Sequence, residues 1–177
     1  MSAYTGVAPF RVLGIDPGSH FTGFGVLETQ GTRLILVEAG CISPKASLSL
    51  AERLAEIHAG LTKLIARTQP AHAAVEEVFF AKNVKAAIAL GQARGVAMAA
   101  IAAGGVELHE YAATEVKRAI VGTGRAEKEQ VAHMVKVLLG PQAAAVKDAR
   151  LDVTDACAIA ICHANTWRTR LKIAGAR

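Results

Sequence analysis

The period of the apolar positions changes several times along this chain, and the changes divide it into elements. Residues 11–16 (RVLGID) are a short apolar run closed by Pro17-Gly18. Residues 22–28 (TGFGVLE) and 33–41 (RLILVEAGC) are two further β-prone runs joined by glycine-containing turns. Three strands with no helix between them predict an antiparallel meander. Ser49 followed by Glu52 is a capping box, and Leu50, Leu54, Ile57, Leu61, Leu64 and Ile65 then recur at helical spacing, so a first helix runs to about Thr68. Pro70 breaks the chain. Residues 73–78 (AAVEEV) read as a buried strand apart from their two glutamates, and the Ala-rich stretch 83–103 reads as a helix ended by Gly104-Gly105. Residues 106–111 form a fifth strand. Thr114 is placed to cap a short helix over 115–121, whose exposed side carries Lys117 and Arg118. After the Gly122-Thr123-Gly124 turn come an amphipathic helix over 127–139, stopped by Gly140-Pro141, and a last helix from 152 to about 167. The order βββαβαβααα predicts a single α/β domain with a mixed five-stranded sheet flanked by helices.

Composition narrows the class. A chain of 177 residues with 52% apolar and 20% charged residues can bury a real core, which excludes a disordered or fibrous protein. The formal charge of +5 makes polyanions candidate partners. After Asp155 there is no acid, while Arg168, Arg170, Lys172 and Arg177 follow, so residues 168–177 read as a basic tail and residues 1–10 as an N-terminal extension. Three cysteines without a CxxC pair fit a reducing compartment. The uncharged stretches 95–106 and 156–167 fall short of the roughly 18 apolar residues of a membrane span, so the expectation is a cytoplasmic protein with no membrane partner.

The chemistry is carried by acids in apolar settings. Asp16 ends one core strand, Glu76 and Glu77 lie near the end of another, and Asp152 and Asp155 are one helical turn apart ahead of ACAIAI. Each alone has an ordinary reading, as a turn former or a first-turn helix acid. Together they would gather about four negative charges at strand ends, which divalent cations neutralise. Oxygen-only ligands select Mg²⁺ or Mn²⁺, and two such ions clamp the attacking and leaving oxygens of a phosphoryl displacement. Strand parity does not choose between Glu76 and Glu77. The Gly122-Thr123-Gly124 turn followed by Lys128 lacks phosphate-loop spacing. The six histidines are scattered, Cys162-His163 has no second half, and no zinc site is expected.

Six stretches in order, LGIDPGSHFTGFG (13–25), VEEVFFAKN (75–83), LGQARGV (90–96), YAATEVK (111–117), VGTGRAEKEQV (121–131) and DVTDACAIAICH (152–163), resemble the RuvC family of Holliday junction resolvases. The likeness covers about residues 11–164 and assigns 11–167 to the nuclease domain. It implies an RNase H-like fold and a homodimer. It also implies metal-dependent paired nicking of four-way junction DNA that leaves 5′-phosphate and 3′-hydroxyl ends, with RuvA and RuvB as branch-migration partners. The family's catalytic and metal-binding acids fall on Asp16, Glu76, Asp152 and Asp155, its important lysines on Lys117 and Lys128, and its junction-contacting aromatic on Phe79. The resemblance thereby selects Glu76 over Glu77. Basic residues in the surrounding loops and helices, Lys82, Lys85, Arg94, Arg118 and Arg125, are further candidate DNA contacts. Two rival readings are an actin-like ATPase, for which 177 residues are too few, and a catalytically inactive junction-binding protein.

Overall fold

The structure, a computed structural model, describes residues 8–77, 83–146 and 149–175. Strands β1 (Arg11–Asp16), β2 (Thr22–Gln30), β3 (Arg33–Ile42), β4 (His72–Glu76) and β5 (Glu107–Tyr111) form one sheet in the order β3-β2-β1-β4-β5. The first three make the antiparallel meander that the sequence predicts, and β4 and β5 then join parallel to β1. The helices are α1 (Leu50–Thr68), α2 (Val84–Ala103), α3 (Ala113–Val121), α4 (Lys128–Leu139) and α5 (Leu151–Gly175), with a 3-10 segment, Gly140–Val146, before α5. The mixed α/β sheet with flanking helices is the expected architecture.

Side chains alternate across a strand, so the sheet builds two cores. Leu13, Ile15, Phe24, Val26, Ala73 and Val75 pack with Ile57, Leu61 and Leu64 of α1 and Ala97 and Ile101 of α2. Val12, Leu27, Ala74 and Tyr111 pack on the other face with α3, α4 and α5. The second face positions the chemistry. A side chain on Gly14 would meet the Ala156 carbonyl oxygen at 2.1 Å, and one on Gly23 would meet that of Asp152 at 2.0 Å, so glycine is what lets α5 lie against the strands. Because Gly23 pairs with Asp16 and Gly14 pairs with Ala74, α5 runs down the sheet from the C-terminal end of β1 toward the N-terminal end of β4.

Three local expectations shift. The last helix does not stop near Trp167 but continues to Gly175, and Arg168 donates hydrogen bonds to the Thr32 and Arg33 carbonyls, which ties the basic segment back to the sheet. The N-cap of α3 is Ala112 rather than Thr114; the Glu115 carboxylate accepts from the Ala112 N–H at 2.9 Å, doing from inside the helix what a capping hydroxyl does from outside. Among the described residues, α2 is long and apolar enough to cross a membrane, with a mean hydropathy of 1.5. Its Ala93, Ala97, Ala100 and Ile101 are buried in this domain, while Val84 and Ile88 face outward.

Candidate active site

Asp16 and Glu76 are the last residues of two neighbouring parallel strands, β1 and β4, and Asp152 and Asp155 lie at the start of α5 above them. Parallel strands in register put the ends of both chains at one edge, and the α5-facing positions 12, 14 and 16 of β1 match 72, 74 and 76 of β4. Glu76 therefore shares a face with Asp16. Glu77 is exposed, and its backbone N–H donates to the Tyr111 carbonyl at 2.9 Å. The parity that the sequence alone leaves open is settled by this register.

Glu76 and Asp155 line a small cleft of about 70 Å³, together with Lys117 from α3 and Lys128 from the first turn of α4. The Lys128 ammonium is 3.8 Å from Asp155. Burial raises the Asp16 pKa to about 7, with the charges of Asp155, Glu76 and Asp152 adding to the shift and Lys128 opposing it. Glu76 is raised by burial and by Asp155, against Lys128 and Lys117. Asp155 is raised by burial, with Lys128 pulling the other way and Asp152 adding to the rise. Three of the four acids are thus held where ionisation is resisted by lost hydration and by one another. The donor set is all oxygen and anionic, which fits a hard divalent cation.

Asp152 is held differently. The Arg150 Nε donates to its carboxylate at 3.0 Å, and the Arg150 guanidinium sits 3.5 Å from the centre of the Phe21 ring. Sequence reading did not single out Arg150, because nothing in local spacing ties residue 150 to residue 21. Arg94, expected to face DNA, is engaged inside the molecule. It donates to the Glu76 carbonyl at 3.1 Å, contacts Met98 and pairs with Glu110, so it braces the end of β4. Lys85, Arg118 and Arg125 are exposed. Lys85 lines a groove with Ser19, His20 and Arg53, and the Arg125 backbone N–H donates to Thr123 Oγ1 at 3.3 Å. Phe79 and Lys82 lie outside the described residues.

The family model "Crossover junction endodeoxyribonuclease RuvC" matches residues 12–163. A Geobacter sp. (strain M21) protein of that name is 48% identical over 166 residues, covering 94% of this chain and 99% of its own. The structure of Thermus thermophilus RuvC in complex with Holliday junction substrate superposes with a TM-score of 0.82 at 34% identity, covering 90% of this chain and 96% of that one. The yeast mitochondrial Holliday junction resolvase, at 14% identity and a TM-score of 0.63 over 86% of this chain and 78% of its own, shares the fold. With a carboxylate edge of this kind and a match across nearly the whole sheet and the first half of α5, the chain belongs to the RuvC family of crossover junction endodeoxyribonucleases.

Proposed function

We propose that this chain resolves four-way DNA junctions in recombination and repair by paired, symmetric, metal-dependent nicks, and that Asp16, Glu76, Asp152 and Asp155 form its catalytic site. The observation that carries the assignment is the gathering of these acids at one sheet edge, with Asp16 raised to about 7 by burial and by its three neighbours. The four carboxylates would hold two Mg²⁺ ions, with Mn²⁺ able to substitute, and the ions would supply Lewis acidity at the scissile phosphate and a more acidic water. The chain's own residues do the rest. Lys117 and Lys128 on the wall of the cleft attract the phosphate toward the acids and offset charge growing on its oxygens. Water adds to phosphorus, the 3′-oxygen leaves and takes a proton, and the products are a 5′-phosphate and a 3′-hydroxyl.

Two symmetric nicks require two sites, supplied by a homodimer. The outward Val84 and Ile88 of α2, 72% and 57% exposed, give a second copy an apolar surface to cover. Lys85, Arg118, Arg125 and Lys82 are proposed to contact the arms through phosphate, and Phe79 to stack on an unpaired base. Residues 11–167 form the nuclease domain, residues 168–177 the basic extension and 1–10 an N-terminal extension. The protein works in the cytoplasm, receiving junctions from RuvA and RuvB.

The test is a divalent-dependent nicking assay on a synthetic four-way junction. Asp16→Asn and Asp155→Asn are expected to abolish cleavage while junction binding stays intact or strengthens, since each removes a negative charge facing phosphate. If both variants keep more than about a tenth of wild-type cleavage, a barrier change of less than ~1.4 kcal/mol, the two-metal assignment fails. A wild-type chain that binds junctions without nicking them establishes the inactive reading instead.

A further inference from the structure

At the edge of the sheet opposite the acids, three histidines from three elements converge. His72 opens β4, His109 is central in β5 and His163 lies in α5, and one ring nitrogen from each falls within 4.8 Å of the others. His163 is fully buried and His72 nearly so. The His72 Nδ1 and His163 Nε2 are 2.7 Å apart. The His163 Nδ1 is 2.8 Å from the Tyr111 hydroxyl, which fixes that ring, and His72 Nε2 is 4.0 Å from the Glu107 carboxylate, an electrostatic neighbour beyond hydrogen-bond reach. His109 Nε2 is buried and makes no hydrogen bond, although the Glu107 carboxylate is 3.1 Å away. Trp167 closes the cluster, its ring centre 4.5 Å from that of His72 and 5.5 Å from that of His109.

We propose that His72, His109 and His163 form a structural binding site for a transition-metal dication, Zn²⁺ by preference, with Glu107 and Tyr111 holding the imidazoles in ligating orientation. Three converging imidazole nitrogens, with the opposite nitrogen of His163 against the Tyr111 hydroxyl and the Glu107 carboxylate beside His72 and His109, resemble the arrangement that metal-bound histidines show. An all-imidazole set suits zinc, nickel and copper and is poor for Mg²⁺, so this site and the carboxylate edge take different ions. Ligation needs the neutral ring. Burial lowers the His163 pKa to about 3, with His109, His72 and Arg170 adding to the fall, and burial lowers His72 and His109 as well. A tetrahedral ion with nitrogens at about 2.0–2.1 Å spaces its ligands about 3.3 Å apart, so the 2.7 Å pair opens by about 0.6 Å and a pair at the 4.8 Å limit closes by up to about 1.5 Å, movements within reach of side-chain rotation. Access runs past the exposed Glu107. The positive Arg170 near His109 and His163 opposes the ion, and Glu107 offsets it. Bound, the metal would pin β4 and β5 to α5, the helix that begins with Asp152 and Asp155.

The measurement is Zn²⁺ titration of the untagged, chelator-treated chain with Mg²⁺ saturating, read by competition with a chromogenic chelator and by long-range ¹H–¹⁵N imidazole spectra. One Zn²⁺ per chain is expected to bind with shifts at His72, His109 and His163, and the melting temperature should rise with Zn²⁺. His109→Ala, which removes a nitrogen without a hydrogen bond, is expected to weaken Zn²⁺ at least about tenfold and to abolish that rise. His72→Gln should do the same. Unchanged Zn²⁺ affinity in His109→Ala, or wild-type spectra that shift at the exposed His20, His58 or His133 instead, overturns the proposal. The spectra use the wild-type chain, so a variant that folds poorly does not decide the outcome.

Discussion

Strand β4 begins with His72 and ends with Glu76 on the same face, and the two edges of the sheet that it joins hold opposite chemistries. Burial is the first cause of the shift at both, and it works against charge at both: Asp16 goes up to about 7 and His163 goes down to about 3. The neighbours then differ. At the imidazole edge two of the neutral rings satisfy each other, with Tyr111, His163 and His72 linked in a chain at 2.8 and 2.7 Å, while His109 Nε2 is left without a hydrogen bond. At the carboxylate edge the neighbours are like charges, relieved by lysines of which Lys128 stands 3.8 Å from Asp155. Each edge is left short of a partner, one by a buried imidazole nitrogen without a hydrogen bond and the other by crowded carboxylates. The same helix supplies both edges, so a difference in ligand chemistry, not in scaffold, separates them.

The sharpest way to break this contrast is to replace the residue at each end of β4 with glutamine. Glu76→Gln keeps shape and removes charge, and cleavage is expected to fall on the order of 10³-fold, about 4 kcal/mol of barrier, in single-turnover nicking of a four-way junction. His72→Gln should leave the Mg²⁺-dependent rate within a few-fold of wild type and lower the melting temperature instead. Comparable rate losses in the two variants would mean that the edges act as one site.

A smaller effect is expected where both edges depend on one contact. Gly14→Ala puts a methyl group where the Ala156 carbonyl and the Ala160 nitrogen already stand, at 2.1 and 2.7 Å, and these are backbone atoms that cannot swing away. The helix must lift, at a cost of about 1–3 kcal/mol or more. At roughly 2–4 °C per kcal/mol for a chain of this size, calorimetry should show the loss, with cleavage reduced alongside it. Full activity with reduced stability would show that the acids do not need α5 seated closely.

What the sequence made legible follows the range of the contacts. The strands, α1 with its Ser49 cap, and the acids at strand ends and at the start of α5 are local patterns, and they stand where the periodicity puts them. The end of α5 was not legible, because Arg168 is held by carbonyls 135 residues away. Arg94 reads as a surface charge in an Ala-rich helix, and only β4 and β5 beside it turn it inward. The histidines were missed for the same reason. His72 and His163 are 91 residues apart, a spacing that no zinc motif scans, and parallel pairing of β4 with β5 is what brings His109 to them. Glu76 was separable from Glu77 by residues alone only through the family resemblance; the register supplies the physical reason.

The two edges should also answer pH with opposite signs in metal-free protein. The Asp16 pKa in the fold, about 7, is above its ordinary 3.8, so its contribution favours the folded state at low pH and is lost as pH rises from about 4 to 7. The His163 value, about 3, is below 6.5, so its contribution is present above 6.5 and lost as pH falls toward 3. Displacements of this size correspond to at most about 5 kcal/mol each. In chelator, Asp16→Asn is expected to raise the melting temperature at about pH 8 more than at about pH 5, and His163→Gln to flatten the decline below about pH 6. Equal slopes in wild type and both variants would mean that other groups carry the pH dependence.

The smallest effect concerns which edge meets DNA. Lys128 is largely exposed beside the acids, whereas Arg170 is exposed beside the histidines and acts electrostatically on His109 and His163. Each phosphate neutralised by a cation adds about −0.9 to the slope of log K against log salt for duplex DNA. Lys128→Ala should therefore make the slope shallower by about one unit for junction binding, read by anisotropy over a salt series. The same charge lost in Arg170→Ala should leave the slope within error, because Arg170 stands near His109 and His163 and does not line the cleft of Lys117 and Lys128. A slope that flattens equally in both variants would place DNA along α5 from end to end, and the division of labour between the two edges would then fail at its weakest point, the assumption that only the carboxylates face phosphate.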